Sequence, residues 1–79
     1  MTYQLLYFAM FQDWAGKNEE QFSSAAATPA ALYEELCKKY SINYPQRQLR
    51  VAVNDQFANW EQPLNDGDRI AFIPPVAGG

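Results

Sequence analysis

The spacing of apolar positions changes along this 79-residue chain, and each change marks a different element. From Tyr3 to Ala9 the sequence is nearly continuously apolar or aromatic, without clean alternation. Such a run predicts a strand covered on both faces or paired on both edges, in the middle of a sheet. Met10 to Ala15 predicts a short helical turn closed by Gly16, because glycine suits the left-handed residue after a helix. Glu19 to Ser23 is poor in β-formers and reads as an edge strand joined to the first, with Glu19 and Glu20 as surface charges. Ser24 to Ala27 is a connector. Thr28 followed by Pro29 is a hydroxyl N-cap with proline at the first helical position. Leu32, Tyr33, Leu36, Cys37 and Tyr40 then recur at helical spacing as one apolar stripe. Glu34–Lys38 and Glu35–Lys39 stand four residues apart on the opposite face, in the favourable order.

The second half of the chain is extended. After a loop from Ser41 to Gln46, Gln48 to Val53 alternates, with Leu49, Val51 and Val53 on one face. Asn54-Asp55 predicts a turn, and Gln56 to Trp60 a short returning strand carrying Phe57 and Trp60. Leu64 is placed as a core plug beside the Asp66-Gly67-Asp68 turn. Ile70 to Ile73 predicts a last strand with Ile70 and Phe72 facing one way, Ala71 and Ile73 the other. One helix among several strands must bury its stripe on one face of the sheet, which predicts a two-layer α+β unit.

Composition narrows the chemistry. With 48% hydrophobic residues there is enough apolar material for one small core, and 79 residues make one domain. The formal charge of −3, with no cluster of Lys or Arg, argues against a nucleic-acid partner. The absence of any long apolar run argues against a membrane span. A single cysteine excludes an internal disulfide and fits a reducing cytoplasm. On the helix stripe, Cys37 reads as a small core hydrophobe rather than a reactive thiol. No histidine is present, which removes the commonest acid–base group and metal ligand. Asp66 and Asp68 read as turn residues rather than cation ligands. The distinctive group is at the end. Pro74 and Pro75 cannot continue a sheet ladder, so residues 74–79 are expected to leave the body as a slim, flexible tail ending in Gly78-Gly79.

The run Pro63-Leu64-Asn65-Asp66-Gly67-Asp68, then Ile70-Ala71-Phe72-Ile73-Pro74-Pro75-Val76 and Gly78-Gly79, resembles the MoaD family, the small subunits of molybdopterin synthase. The likeness extends through Val51-Ala52-Val53-Asn54 and Leu6-Tyr7-Phe8-Ala9, whereas Glu19 to Ser23 and Ser41 to Gln48 match nothing in particular. It implies a β-grasp, ubiquitin-like fold, with a mixed sheet of four to five strands on one main helix and the first and last strands parallel at its centre. It also implies a non-catalytic sulfur donor. A partner would adenylate the Gly79 carboxylate with ATP, and sulfur transfer would leave a thiocarboxylate there. No cofactor would be bound by this chain itself. Gly78 and Gly79 would carry the chemistry, and Phe8, Phe57 and Ile73, with the tail residues Pro74, Pro75, Val76 and Ala77, would dock. The implied partners are the synthase large subunit, in a heterotetramer, and an adenylating, sulfurating enzyme. A sulfur carrier for thiamine thiazole or tungsten-pterin synthesis, a ubiquitin-like protein modifier, and a plain interaction module share parts of this pattern.

Overall fold

The helix stripe and the strand pattern meet in a single sheet-on-helix layer. A computed structural model describes residues 1–75. Its elements are β1 (Thr2–Tyr7), α1 (Met10–Ala15), β2 (Glu19–Ser23), α2 (Pro29–Tyr40), β3 (Arg50–Val53), β4 (Gln56–Ala58) and β5 (Arg69–Ile73). The five strands form one sheet in the order β2-β1-β5-β3-β4. β1 and β5 run parallel at the centre, with Leu5 opposite Ile70 and Tyr7 opposite Phe72. The other pairings are antiparallel. Parallel neighbours need a long crossover, and α2 lies within it.

Local chemistry fixes the boundaries. Thr28 Oγ1 accepts the Ala31 amide at 3.2 Å and caps α2. Gly16 closes α1 in the left-handed region at φ 73°. Asn54 and Asp55, both at positive φ, make the tight turn between β3 and β4. Asp66 accepts the Thr2 amide and Asp68 the Asn65 amide, so these carboxylates serve the turn before β5. Pro45 leads into a 3₁₀ turn over Gln46–Gln48, which delays β3 to Arg50, two residues later than the alternation suggested. β4 likewise stops at Ala58, because Trp60 leaves the sheet and stacks on Phe72 at 5.8 Å.

α2 covers one face. Leu32, Tyr33 and Leu36 meet Tyr3, Leu5, Tyr7, Val51, Val53, Ile70 and Phe72 there, and Phe11, Leu49 and Leu64 seal the edges. The Tyr33 and Phe72 rings stand 5.3 Å apart at the middle of this layer. Cys37 is half-buried rather than fully buried, and burial pushes its thiol above the ordinary range.

Of the two readings open for β1, pairing on both edges holds, since β2 and β5 flank it. Only one face is covered: Tyr3, Leu5 and Tyr7 are buried, while Leu6 is half-buried and Phe8, just past its end, is exposed. One helix can shield only one side of a sheet. Two expectations need correction. First, Glu20 is not a free surface charge. Its side chain is only 10% exposed, and Oε2 accepts the hydroxyls of Tyr7 and Tyr40, each at 2.5 Å. Lys17 and Lys39 sit 3.5 and 3.4 Å from Oε1. Second, the helix pairs expected for Glu35 and Lys39 are replaced by tertiary ones. Lys39 reaches Glu20 and lies over the Phe22 and Tyr40 rings, while Glu35 accepts the Ser24 hydroxyl. The new partners, Glu20 in β2 and Ser24 just after it, are both well shielded from water, which partners on an exposed helix face are not.

Burial by itself would raise the Glu20 carboxyl, but the Tyr40 and Tyr7 hydroxyls and the charges of Lys39 and Lys17 outweigh it and hold it below the usual 4.5. A depressed carboxyl stabilises the fold above its unfolded-state value and loses that contribution as pH falls through the folded value. Glu20→Gln is therefore expected to cost about 1–2 kcal/mol near neutral pH, measured by urea unfolding. The gap to wild type should narrow steadily below pH 4.5. A gap that stays constant into acid would show that the charge contributes nothing.

Candidate docking face and carrier terminus

The face of the sheet opposite α2 carries the candidate site. Register aligns Leu6, Ala71, Ala52 and Phe57 in one row across β1, β5, β3 and β4. The next row holds Arg50 opposite Ile73, and Phe8 lies beside Ile73 along a shared groove. Phe57 is 61% exposed and Phe8 46%, high values for large aromatic side chains in so small a protein. Leu6, Phe8, Ala52, Phe57, Ala71 and Ile73 line a shallow, mostly apolar groove of about 220 Å³, with Asp55 as its one charged lining residue.

A second, larger groove of about 510 Å³ opens where the chain leaves the sheet, between the Phe8–Met10 corner, Tyr44 and Ile73-Pro74-Pro75. A tight turn builds its near wall. The Phe11 amide donates to the Phe8 carbonyl at 3.0 Å, and Ala9 between them lies at φ 51°, ψ −127°. That conformation favours glycine, and alanine holds it under strain. The turn ends β1, and Gln12 Nε2 then satisfies the Tyr7 carbonyl at 3.0 Å.

Of the residues named from sequence, the structure thus brings Phe8, Phe57, Ile73, Pro74 and Pro75 to one end of one face. Val76, Ala77, Gly78 and Gly79 lie outside the described residues. Leu6, Ala52, Ala71, Met10, Tyr44 and Arg50 were not anticipated. Alternation within β1 and β3 could have flagged Leu6 and Ala52 once a single covering helix was recognised. Arg50 emerges only from the strand register. Among the described residues no three His, Cys, Asp or Glu side chains gather to hold a metal ion. What this face offers is an apolar surface for association.

A mixed sheet with parallel central strands gripping one long helix defines a β-grasp domain of the ubiquitin-like class. A ubiquitin from Caldiarchaeum subterraneum shares this fold at TM-score 0.62 and 16% identity. The sequence goes further: the ThiS family model matches residues 5–79, and the chain belongs to that family. The molybdopterin synthase sulfur carrier subunit of Haemophilus influenzae is 33% identical over 78 residues, covering 95% of this chain and 96% of that protein. A Pyrococcus furiosus structure described as a putative molybdopterin converting factor, subunit 1, is 29% identical at TM-score 0.79, covering 96% of this chain and 99% of that one. A complex of subunits 1 and 2 of the molybdopterin-converting factor from Helicobacter pylori aligns at TM-score 0.70 and 26% identity, over the full length of both chains.

The strained turn gives a test of the local geometry. Ala9→Gly is expected to raise stability by about 0.5–1 kcal/mol, since relief at positive φ exceeds the extra unfolded-state entropy of glycine. Thermal unfolding would show this, and a lowered midpoint would rule out the turn as described.

Proposed function

We propose that this chain is the sulfur-carrier subunit of a molybdopterin synthase, with Gly79 as the sulfur-bearing residue. The observation that carries the reading is the apolar open face at the root of the tail, in a chain whose relatives bear that name. In this reading the adenylating partner binds ATP and joins the Gly79 carboxylate to AMP, with loss of pyrophosphate. A persulfide on the sulfur donor displaces AMP to give an acyl disulfide. A second thiol cleaves that disulfide and leaves the thiocarboxylate on Gly79. The slim Gly78-Gly79 end then enters the large subunit and gives its sulfur to the pterin precursor. A dithiolene needs two sulfurs, so the carrier acts twice per product. The chain itself holds no cofactor and contributes the carrier group and the docking face.

The Helicobacter pylori complex pairs the two subunits of its factor. By that likeness the large subunit docks here on Phe8, Phe57 and Ile73, with Pro74, Pro75, Val76 and Ala77 leading into its channel, in a heterotetramer. No described helix is long and apolar enough to cross a membrane, and we place the reaction in the cytoplasm.

The intact mass after incubation with adenylating enzyme, ATP and sulfur donor should rise by the replacement of one oxygen by sulfur, confined to the C-terminal peptide. Deleting Gly79, or adding a residue after it, should abolish sulfur transfer while the unfolding midpoint stays unchanged. Activity retained in either variant would sink the mechanism. Phe8→Asp should weaken binding to the large subunit about tenfold or more, because docking would bury an unpaired charge, and Phe57→Ala should weaken it by removing an exposed aromatic anchor. Unaltered affinity in both would remove the patch from the interface.

A further inference from the structure

Arg50 interrupts the apolar face at its most useful place. It lies opposite Ile73 in the β3–β5 register, and its guanidinium sits over the Phe57 ring, 3.9 Å from the centroid. No carboxylate among the described residues pairs with it, since the described ion pairs use Lys17, Lys39 and Arg69. Arg47 shares with Arg50 a groove of about 410 Å³ that runs along Ile73, Pro74 and Pro75. In a chain of net charge −3, two arginines beside the tail root reverse the local sign.

A guanidinium stacked on an aromatic ring is held in orientation yet keeps its edge free to donate. A carboxylate that reaches it meets a preformed fork and gives a directional, charge-assisted contact. Arginine beside an aromatic anchor is also the composition of binding hot spots. We infer that Arg50, with Arg47 beside it, receives an acidic side chain of the protein that accepts the tail. The inference deepens the docking reading above and rests on it. Apolar contacts around Phe8 and Phe57 hold the partner but tolerate rotation about the tail. One ion pair set off to the side fixes the angle of approach and selects among partners.

The test is titration of the purified chain with the large subunit of the molybdopterin synthase from the same organism, at low and high ionic strength. Arg50→Met keeps a long apolar stem and removes the charge; Arg50→Glu reverses it. Arg50 is exposed and unpaired among the described residues, so both variants should fold normally. Expected at low ionic strength is about tenfold weaker binding for Arg50→Met and about a hundredfold for Arg50→Glu, with the salt dependence flattened in Arg50→Met. Arg50→Met binding as tightly as wild type, with the same salt dependence, would overturn the inference, while Phe8→Asp, which leaves the Arg50–Phe57 stack in place, still weakened the complex and kept the docking reading. Wild-type chain that fails to bind a large subunit active with another carrier would overturn the docking reading, and this inference with it. Salt-sensitive self-association of the wild type, lost in Arg50→Glu, would assign the groove to a second copy and also overturn it.

Discussion

The parallel pairing of β1 with β5 is the contact on which the other features depend. Two strands that run the same way finish at the same end of the sheet, so the Phe8 corner and the Pro74 exit emerge side by side. Were β5 antiparallel to β1, the aromatic corner would sit at one end of the domain and the chain exit at the other. The pairing also places β5 between β1 and β3, where Ile70 and Phe72 become the middle of the core. The place where the chain leaves the sheet and the stability of the fold therefore share one set of hydrogen bonds.

A second constraint is the supply of helix. α2 has twelve residues and can shield one face of five strands. The opposite face must then be tolerated by solvent or covered by another molecule. Its residues divide accordingly: Gln21, Gln4 and Arg69 form a polar row near the start of β1, while Leu6, Ala71, Ala52 and Phe57 form the next row, nearer the end where the chain leaves. The polar part belongs to water. The apolar part lies next to the exit of the chain, which is why it reads as a docking surface rather than as a defect of packing.

Much of this was legible in the sequence because it depends on local chemistry. The Thr28-Pro29 start, the stripe from Leu32 to Tyr40, the Asn54-Asp55 turn and the Ile70/Phe72 face follow from residue type and spacing alone. What was missed depends on contacts distant in sequence. Glu20 looks like solvent-facing charge until Tyr7 and Tyr40, 13 and 20 residues away, are brought to it. The continuous apolar run of β1 left two covered faces and two paired edges both open, because a partner surface and a core demand the same residue types. For the candidate site, Phe8, Phe57 and Ile73 came from family likeness, whereas Arg50 could enter only once Ile73 and Phe57 were known to be its neighbours. The Ala9 turn was hidden for a related reason: alanine advertises no positive φ.

The flanked position of β5 has a mechanical consequence. A pull on Pro75 acts along the axis of a strand bonded to neighbours on both sides. Ladder bonds run across that axis, so they are loaded together in shear and cannot open one after another as they would at a peeled edge. The point where the chain leaves the sheet is thus fixed to a strand held on both sides, and tension applied at Pro75 is spread through the neighbouring strands.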